Sequence, residues 1–260
     1  MIKLTRATCP KELTNQVQQE LTKHYKETGN SVWKKTYIER ALLRSSHNKC
    51  AYCECNIKEE SKYMEVEHFH DKKTHPNDVV NWINLLPSCK RCNGKKSTFN
   101  TREHPFINPY DSDPKEHLIF NQYSFFPTTE AGKNTIDQLF LNDLIRVQTK
   151  RFEIGSKLIE KIEELYEKVC DYKNGNKTTT RTKHQITDTI ENLMIEALPN
   201  TSYCATVATV MTNNVHFLTI IDILKQLELW SSDMDKTFSE INKYSLDTDI
   251  SKSVSFLQSV

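Results

Sequence analysis

Five of the eight cysteines fall between positions 50 and 92, and four of them form two Cys-x-x-Cys pairs, Cys50/Cys53 and Cys89/Cys92. Such a turn spaces two thiolates for one Zn²⁺, and two turns complete a closed tetrahedral site of the structural kind. Cys55, two residues after Cys53, could substitute as a ligand; the matching of the two pairs favours Cys50 and Cys53. Metal binding would also supply folding free energy to a segment with little apolar core of its own. A closed site of this kind leaves the chemistry to other residues. Between and just after the pairs stand His68, Asn84 and Asn93, which a metal-clamped hairpin and helix would bring near one another. Cys9, Cys170 and Cys204 are isolated and are expected to be small buried residues.

These residues must be held by elements that the pattern suggests. Glu65 to His70 alternates apolar and polar residues, as a short strand would. A polar loop, 71–78, leads to the apolar run Val79–Pro87, and the second cysteine pair opens into Asn93-Gly-Lys-Lys, read as the first turns of a helix. Phe69, Trp82, Leu85 and Leu86 are expected in the core under the hairpin. Upstream, Leu13, Val17, Leu21 and Tyr25 mark one helix, and Trp33, Tyr37 and Ala41 a second, from about 32 to 44. Downstream, four prolines surround a β-type run at 117–126, read as a linker with one hairpin. One long amphipathic helix is expected from 136 to 169, its stripe forming core or a docking surface. A loop follows over 171–184, then helices at 185–198 and 215–230 and a weakly periodic, Ser-rich tail. The segments read as a helical pair at 1–45, a metal-centred module at 46–105 and a helical region at 106–260.

Composition narrows the function. The 260 residues carry 35 Lys+Arg against 34 Asp+Glu, a net charge of +1, so nucleic-acid binding needs a local patch. One exists: Ser88 to Arg102 holds Lys90, Arg91, Lys95, Lys96 and Arg102 and no acid. Only 5 glycines, and neither a GxGxxG nor a GxxxxGK[ST] motif, argue against nucleotide-binding Rossmann or P-loop folds. Mean hydropathy is −0.64. No apolar run reaches membrane-spanning length and no secretory leader is visible, so a cytoplasmic protein is expected, with no membrane partner.

Together, Cys-x2-Cys, Val-Glu-His-Phe, Trp-x-Asn-Leu-Leu-Pro and Cys-x2-Cys-Asn-x2-Lys resemble the HNH nuclease motif in its zinc-ribbon, HNN form. The flanks Arg40-Ala-Leu-Leu-Arg44, Lys49-Cys-Ala-Tyr-Cys-Glu54 and Asn108-Pro-Tyr-Asp111 resemble the HNH protein of Septu-type anti-phage systems, the PtuB type. The fold class so implied is mainly α with a small embedded ββα-metal module stabilised by a four-cysteine zinc ribbon.

By that resemblance, His68 is the general base, Glu67 and Asn93 hold a catalytic Mg²⁺ or Mn²⁺, and Asn84 orients His68 through a hydrogen bond. The activity implied is metal-dependent phosphodiester hydrolysis, on DNA in preference to RNA. The partner implied is an ABC/SMC-like ATPase (PtuA), in some systems with a retron reverse transcriptase and its DNA. Lys90, Arg91, Lys95 and Lys96 are the expected nucleic-acid contacts. The sequence departs from the family where Arg-Pro-Lys would follow His-Phe: here it reads His70-Asp71-Lys72. His70 and His75 are therefore extra phosphate contacts, extra metal ligands or, the favoured reading, loop residues. The competing reading is a non-catalytic zinc-ribbon adaptor, which explains the cysteines and the basic strip but not the Glu67, His68, Asn84, Asn93 spacing. An HNH toxin or restriction-type nuclease acting alone is a third.

Overall fold

The computed structural model describes residues 1–58 and 63–259. It is mostly helical, with ten α-helices and two two-stranded sheets among the described residues. The chain divides into two compact units. The first comprises Met1–Ile119, Phe125–Asn142 and the chain from Ile250; the second comprises Phe120–Ser124 and Asp143–Asp249.

In the first unit, α1 (Asn15–Thr28) starts where the Thr14 side chain accepts from the Val17 amide. It stops at Gly29, whose φ of 72° is the left-handed conformation a glycine adopts without a Cβ clash. Helix α2 (Thr36–Ser45) buries Ile38, Ala41, Leu42 and Ser45, one stripe at helical spacing. Strands β1 (Met64–His68) and β2 (Leu85–Cys89) pair antiparallel, with Met64 opposite Cys89 and His68 opposite Leu85. Pro87 sits in β2 without harm because both strands of a two-stranded sheet are edges. Helix α3 (Lys90–Lys96) follows at once, the Cys89 sulfur accepting from the Cys92 amide as its cap. Strand alternation assigns the two faces of β1. Val66 joins a core with Leu13, Trp33, Leu42, Trp82 and Leu85, whereas Glu65 and Glu67 meet side chains of α3.

Strands β3 (Leu118–Asn121) and β4 (Ser124–Pro127) form the hairpin expected at 117–126. The long helix expected from 136 to 169 is two. Helix α4 (Glu130–Leu139) ends at Phe140 in the left-handed region, φ 51°, and a π-turn at Leu144–Gln148 precedes α5 (Thr149–Lys173). The interruption has a local cause. Asn142 gives its side chain to both backbone groups of Phe125, and Asp143 caps the π-turn by accepting from the Arg146 amide. Phe140 and Leu144, counted in the stripe, are consequently exposed.

In the second unit α5 lays Leu158, Ile162, Leu165 and Val169 into a core shared with α6 (Thr180–Ile195), α7 (Cys204–Thr212), α8 (Val215–Gln226) and α9 (Ser232–Tyr244). Gly155 lets α5 approach Tyr123 so closely that a Cβ would lie 2.3 Å from its ring. The Ser-rich tail is helical as α9 and, in the first unit, α10 (Ser251–Ser259). Among the described residues no single helix is long and apolar enough to cross a membrane; α7 and α8 pass only as a pair, bent by 68°. Of the isolated cysteines, Cys204 is buried and Cys170 half-buried, but Cys9 is exposed, because it lies in an irregular stretch before α1 and outside the core.

Candidate active site and metal centre

The four sulfurs of Cys50, Cys53, Cys89 and Cys92 all lie within 4.8 Å of one another, and Cys53 and Cys89 are 3.7 Å apart. A tetrahedron of sulfurs about 2.3 Å from a central zinc has edges of about 3.8 Å. The cluster therefore fits a metal such as zinc in donor type, number and spacing. The first pair is docked on the second: the Ala51 amide donates to the Pro87 carbonyl at 2.9 Å, and the Cys50 amide closes its own turn on the Cys55 carbonyl. Hydrogen bonding to Cys50, Cys53 and Cys89, with burial added, pushes the Cys92 thiol up. The crowding splits the set, pushing the Cys53 and Cys92 thiols up and the Cys50 and Cys89 thiols down, and a divalent cation would favour the thiolate at all four.

His68 ends β1 and is 4% exposed. Its Nε2 lies 2.9 Å from the Val79 carbonyl oxygen. A carbonyl only accepts, so Nε2 carries the proton and Nδ1 keeps the lone pair. Burial first, and then the Lys72 ammonium, holds the imidazole down to about 3, so it is neutral at pH 7. The Trp33 ring meets it edge-on at 4.7 Å between centroids.

Glu67, on the opposite face of β1, is 2% exposed and pairs with Lys96 at 2.7 Å. The same ammonium donates to the His68 carbonyl at 3.0 Å. Burial pushes the Glu67 carboxyl up to about 7 against the pull of Lys96. Lys96, grouped with surface phosphate contacts on the strength of sequence, is completely buried and points at Glu67. The amide nitrogen of Asn93 donates to Glu65, not Glu67. Within the rest of the basic strip, Lys90 is exposed, Arg91 donates to the Leu139 and Phe140 carbonyls, and Lys95 lies 3.9 Å over the Phe140 ring.

Asn84 is a clamp, and it makes no direct bond to His68. Its Oδ1 accepts from the His70 amide at 2.7 Å; its Nδ2 donates to the His70 carbonyl at 3.0 Å and the Asp78 carbonyl at 3.1 Å. Its own carbonyl accepts from Phe69. The clamp fixes the chain on both sides of the polar loop, next to the Val79 carbonyl that orients His68. Asn84→Ala is expected to cost about 3 kcal/mol, since buried backbone groups lose their partners. Hydrogen exchange at the His70 amide should accelerate with it; an unchanged rate there would remove the clamp from the account.

His70 shares a hydrogen bond with Thr101 at 2.8 Å and meets the His75 ring edge-on. Sequence reasoning missed Arg6 altogether. Its guanidinium donates to the carbonyls of Trp82, Ile83 and Leu85 and lies over Tyr110, holding the turn that presents Asn84. Glu65 and Trp33 also went unassigned. For Glu65 the signal was available, two residues from Glu67 on one strand face.

No family model matches the chain. It is 44% identical over 243 residues, 94% of this chain and 94% of the other, to the Septu protein PtuB of Bacillus thuringiensis. It is also 32% identical over 131 residues, 39% of this chain and 44% of the other, to the Septu protein PtuB of Bacillus mycoides (strain KBAB4). With the first of these identities running along nearly the whole of both chains, the chain belongs to the Septu PtuB family.

Proposed function

We propose that the chain is a metal-dependent HNH endonuclease that hydrolyses phosphodiester bonds of nucleic acid, DNA ahead of RNA, in a bacterial anti-phage defence system. Its hairpin and α3 read as a ββα-metal module braced by a four-cysteine zinc site. The observation that carries the reading is the single-ended His68: neutral at pH 7, held at Nε2 by Val79, with Nδ1 left to accept a proton. On this reading Nδ1 takes the proton of an attacking water, leaving a 5′-phosphate and a 3′-hydroxyl. Asn84 keeps the loop that aims the ring.

Glu67 and Asn93 are oxygen donors of the type Mg²⁺ or Mn²⁺ takes. Beside Glu67 the Tyr52 hydroxyl is buried without a hydrogen-bond partner among the described residues, which fits a further polar guest there. An ion held by Glu67 would compete with Lys96 for the same carboxylate. When bound it would supply Lewis-acid charge to the phosphate and the leaving oxygen. Membership of the Septu family supports an ATPase partner of the ABC/SMC-like type (PtuA), in some systems with a retron, and a cytoplasmic location.

The pairing of Glu67 with Lys96 and of Asn93 with Glu65 favours a second reading, a non-catalytic zinc-ribbon adaptor in which these groups only brace the module. Incubating plasmid DNA and total tRNA with the protein and its His68→Ala variant, with and without the ATPase, in Mg²⁺, Mn²⁺ or EDTA, separates the two. The nuclease reading expects cleavage that stops in EDTA and drops by about 10²–10⁴ in the variant. Binding without cleavage under every condition establishes the adaptor.

A further inference from the structure

A nuclease needs a cation that meets the phosphate near its base, and most of the basic residues around His68 are already engaged. Lys96 is buried on Glu67, Arg91 donates to two carbonyls, Lys95 covers Phe140, and Arg102 is paired with Asp78 at 3.0 Å. Lys72 differs. It is only partly buried, and among the described residues its ammonium is paired with no carboxylate. It lies 5.1 Å from the centroid of Trp33, the ring that itself meets His68. Its charge reaches both Glu67 and His68.

The backbone under Lys72 is fixed. One oxygen of the Asp71 side chain accepts from the Lys73 amide, the Thr74 amide and the Thr74 hydroxyl at 3.0–3.1 Å, and the His75 amide closes on the Asp71 carbonyl. The nearby His70 is gripped on both backbone groups by Asn84. A lysine on a tight turn, seated over an aromatic ring and in no ion pair among the described residues, is held in place with its ammonium open to a further anion.

We propose that Lys72, seated on Trp33, binds the backbone phosphate of the nucleic acid on which His68 acts. The inference rests on the nuclease reading and extends it. Lys72 is on this account a substrate-binding residue and Trp33 its positioning residue. An ammonium serves as a point charge for phosphate, so the contact carries no base preference.

The test uses the full-length protein with its ATPase present, and compares wild type with Lys72→Ala, Lys72→Arg, Trp33→Leu and Lys73→Ala. Cleavage rate, zinc content and the salt dependence of binding to a labelled DNA duplex are read for each. Lys72→Ala is expected to lower cleavage about a hundredfold, and to flatten the log–log salt slope by about one, with zinc retained. Lys72→Arg should restore the slope, Trp33→Leu should lower cleavage while leaving the slope nearly unchanged, and Lys73→Ala should do neither. Wild-type cleavage that depends on His68 but not on Lys72, with the slope unaltered, overturns this inference and spares the nuclease reading. Wild-type protein that cleaves under no condition overturns both.

Discussion

Removal of the metal from the Cys50/Cys53/Cys89/Cys92 centre is expected to unfold the hairpin and α3, and Cys92→Ser is expected to do the same permanently. Structural zinc in small modules contributes apparent free energies of about 10–16 kcal/mol, comparable to the whole stability of a typical domain, about 5–15 kcal/mol. Here the four sulfurs join the turn after α2 to the end of β2 and the first turn of α3, and the Ala51–Pro87 backbone bond is a slight link beside them. Zinc released to a colorimetric chelator should track loss of the Glu67 and Leu86 amide protection by hydrogen exchange, the two amides that the register pairs across the hairpin. A chelated protein whose melting curve and protection are unchanged would mean that the apolar core of the first unit suffices.

The second large effect is at the Glu67–Lys96 pair. Lys96→Met leaves a carboxylate buried without its partner, a loss of about 3–5 kcal/mol. The double variant Glu67→Gln/Lys96→Met should recover most of it. The loss should also depend on pH. Because burial raises the Glu67 carboxyl from 4.5 to about 7 in the folded state, its contribution to stability is present at low pH and is lost as pH rises through 7. Without Lys96 the carboxyl rises further, so the two proteins diverge mainly above pH 7. Urea melts at pH 5.5 and 8.5 check this: a penalty equal at both values would show that the pair is held by packing and not by charge.

Which parts could be read from sequence follows from the range of the forces involved. The four-cysteine cluster was legible because ligand spacing within a Cys-x-x-Cys turn is a local property, and the sulfurs converge as the spacing implies. Helix α2 was legible from residues recurring on one face, and α8 because Val215 to Trp230 is apolar enough to be a buried helix. Helix α7 was missed because Cys204 to Thr209 are all buried, which erases the stripe a half-exposed helix would show. Helix α9 was missed because it buries only Met234 and Ile241, although Ser231 caps it and Asp233 and Asp235 occupy its first turn. The break at Phe140 depends on Asn142 finding Phe125, a contact that periodicity cannot register. In the candidate site, residue types were legible and pairings were not. Alternation puts Glu65 and Glu67 on one face, but it does not say that Asn93 takes the first and Lys96 the second.

The Val79 carbonyl has a consequence for the direction of proton flow. An imidazole tied at Nε2 cannot pass a proton through its ring, because a proton gained at Nδ1 gives a cation and the tied nitrogen has no reason to let go. Such a histidine is a reservoir with one mouth: what enters at Nδ1 leaves at Nδ1. In a hydrolysis run by His68 the departing 3′-oxygen, on the far side of the phosphorus from the attacking water, must then be protonated from another source. The proton that His68 takes from the water and the one that the 3′-oxygen receives would therefore be different protons, and replacing the ring would remove the first transfer and not the second.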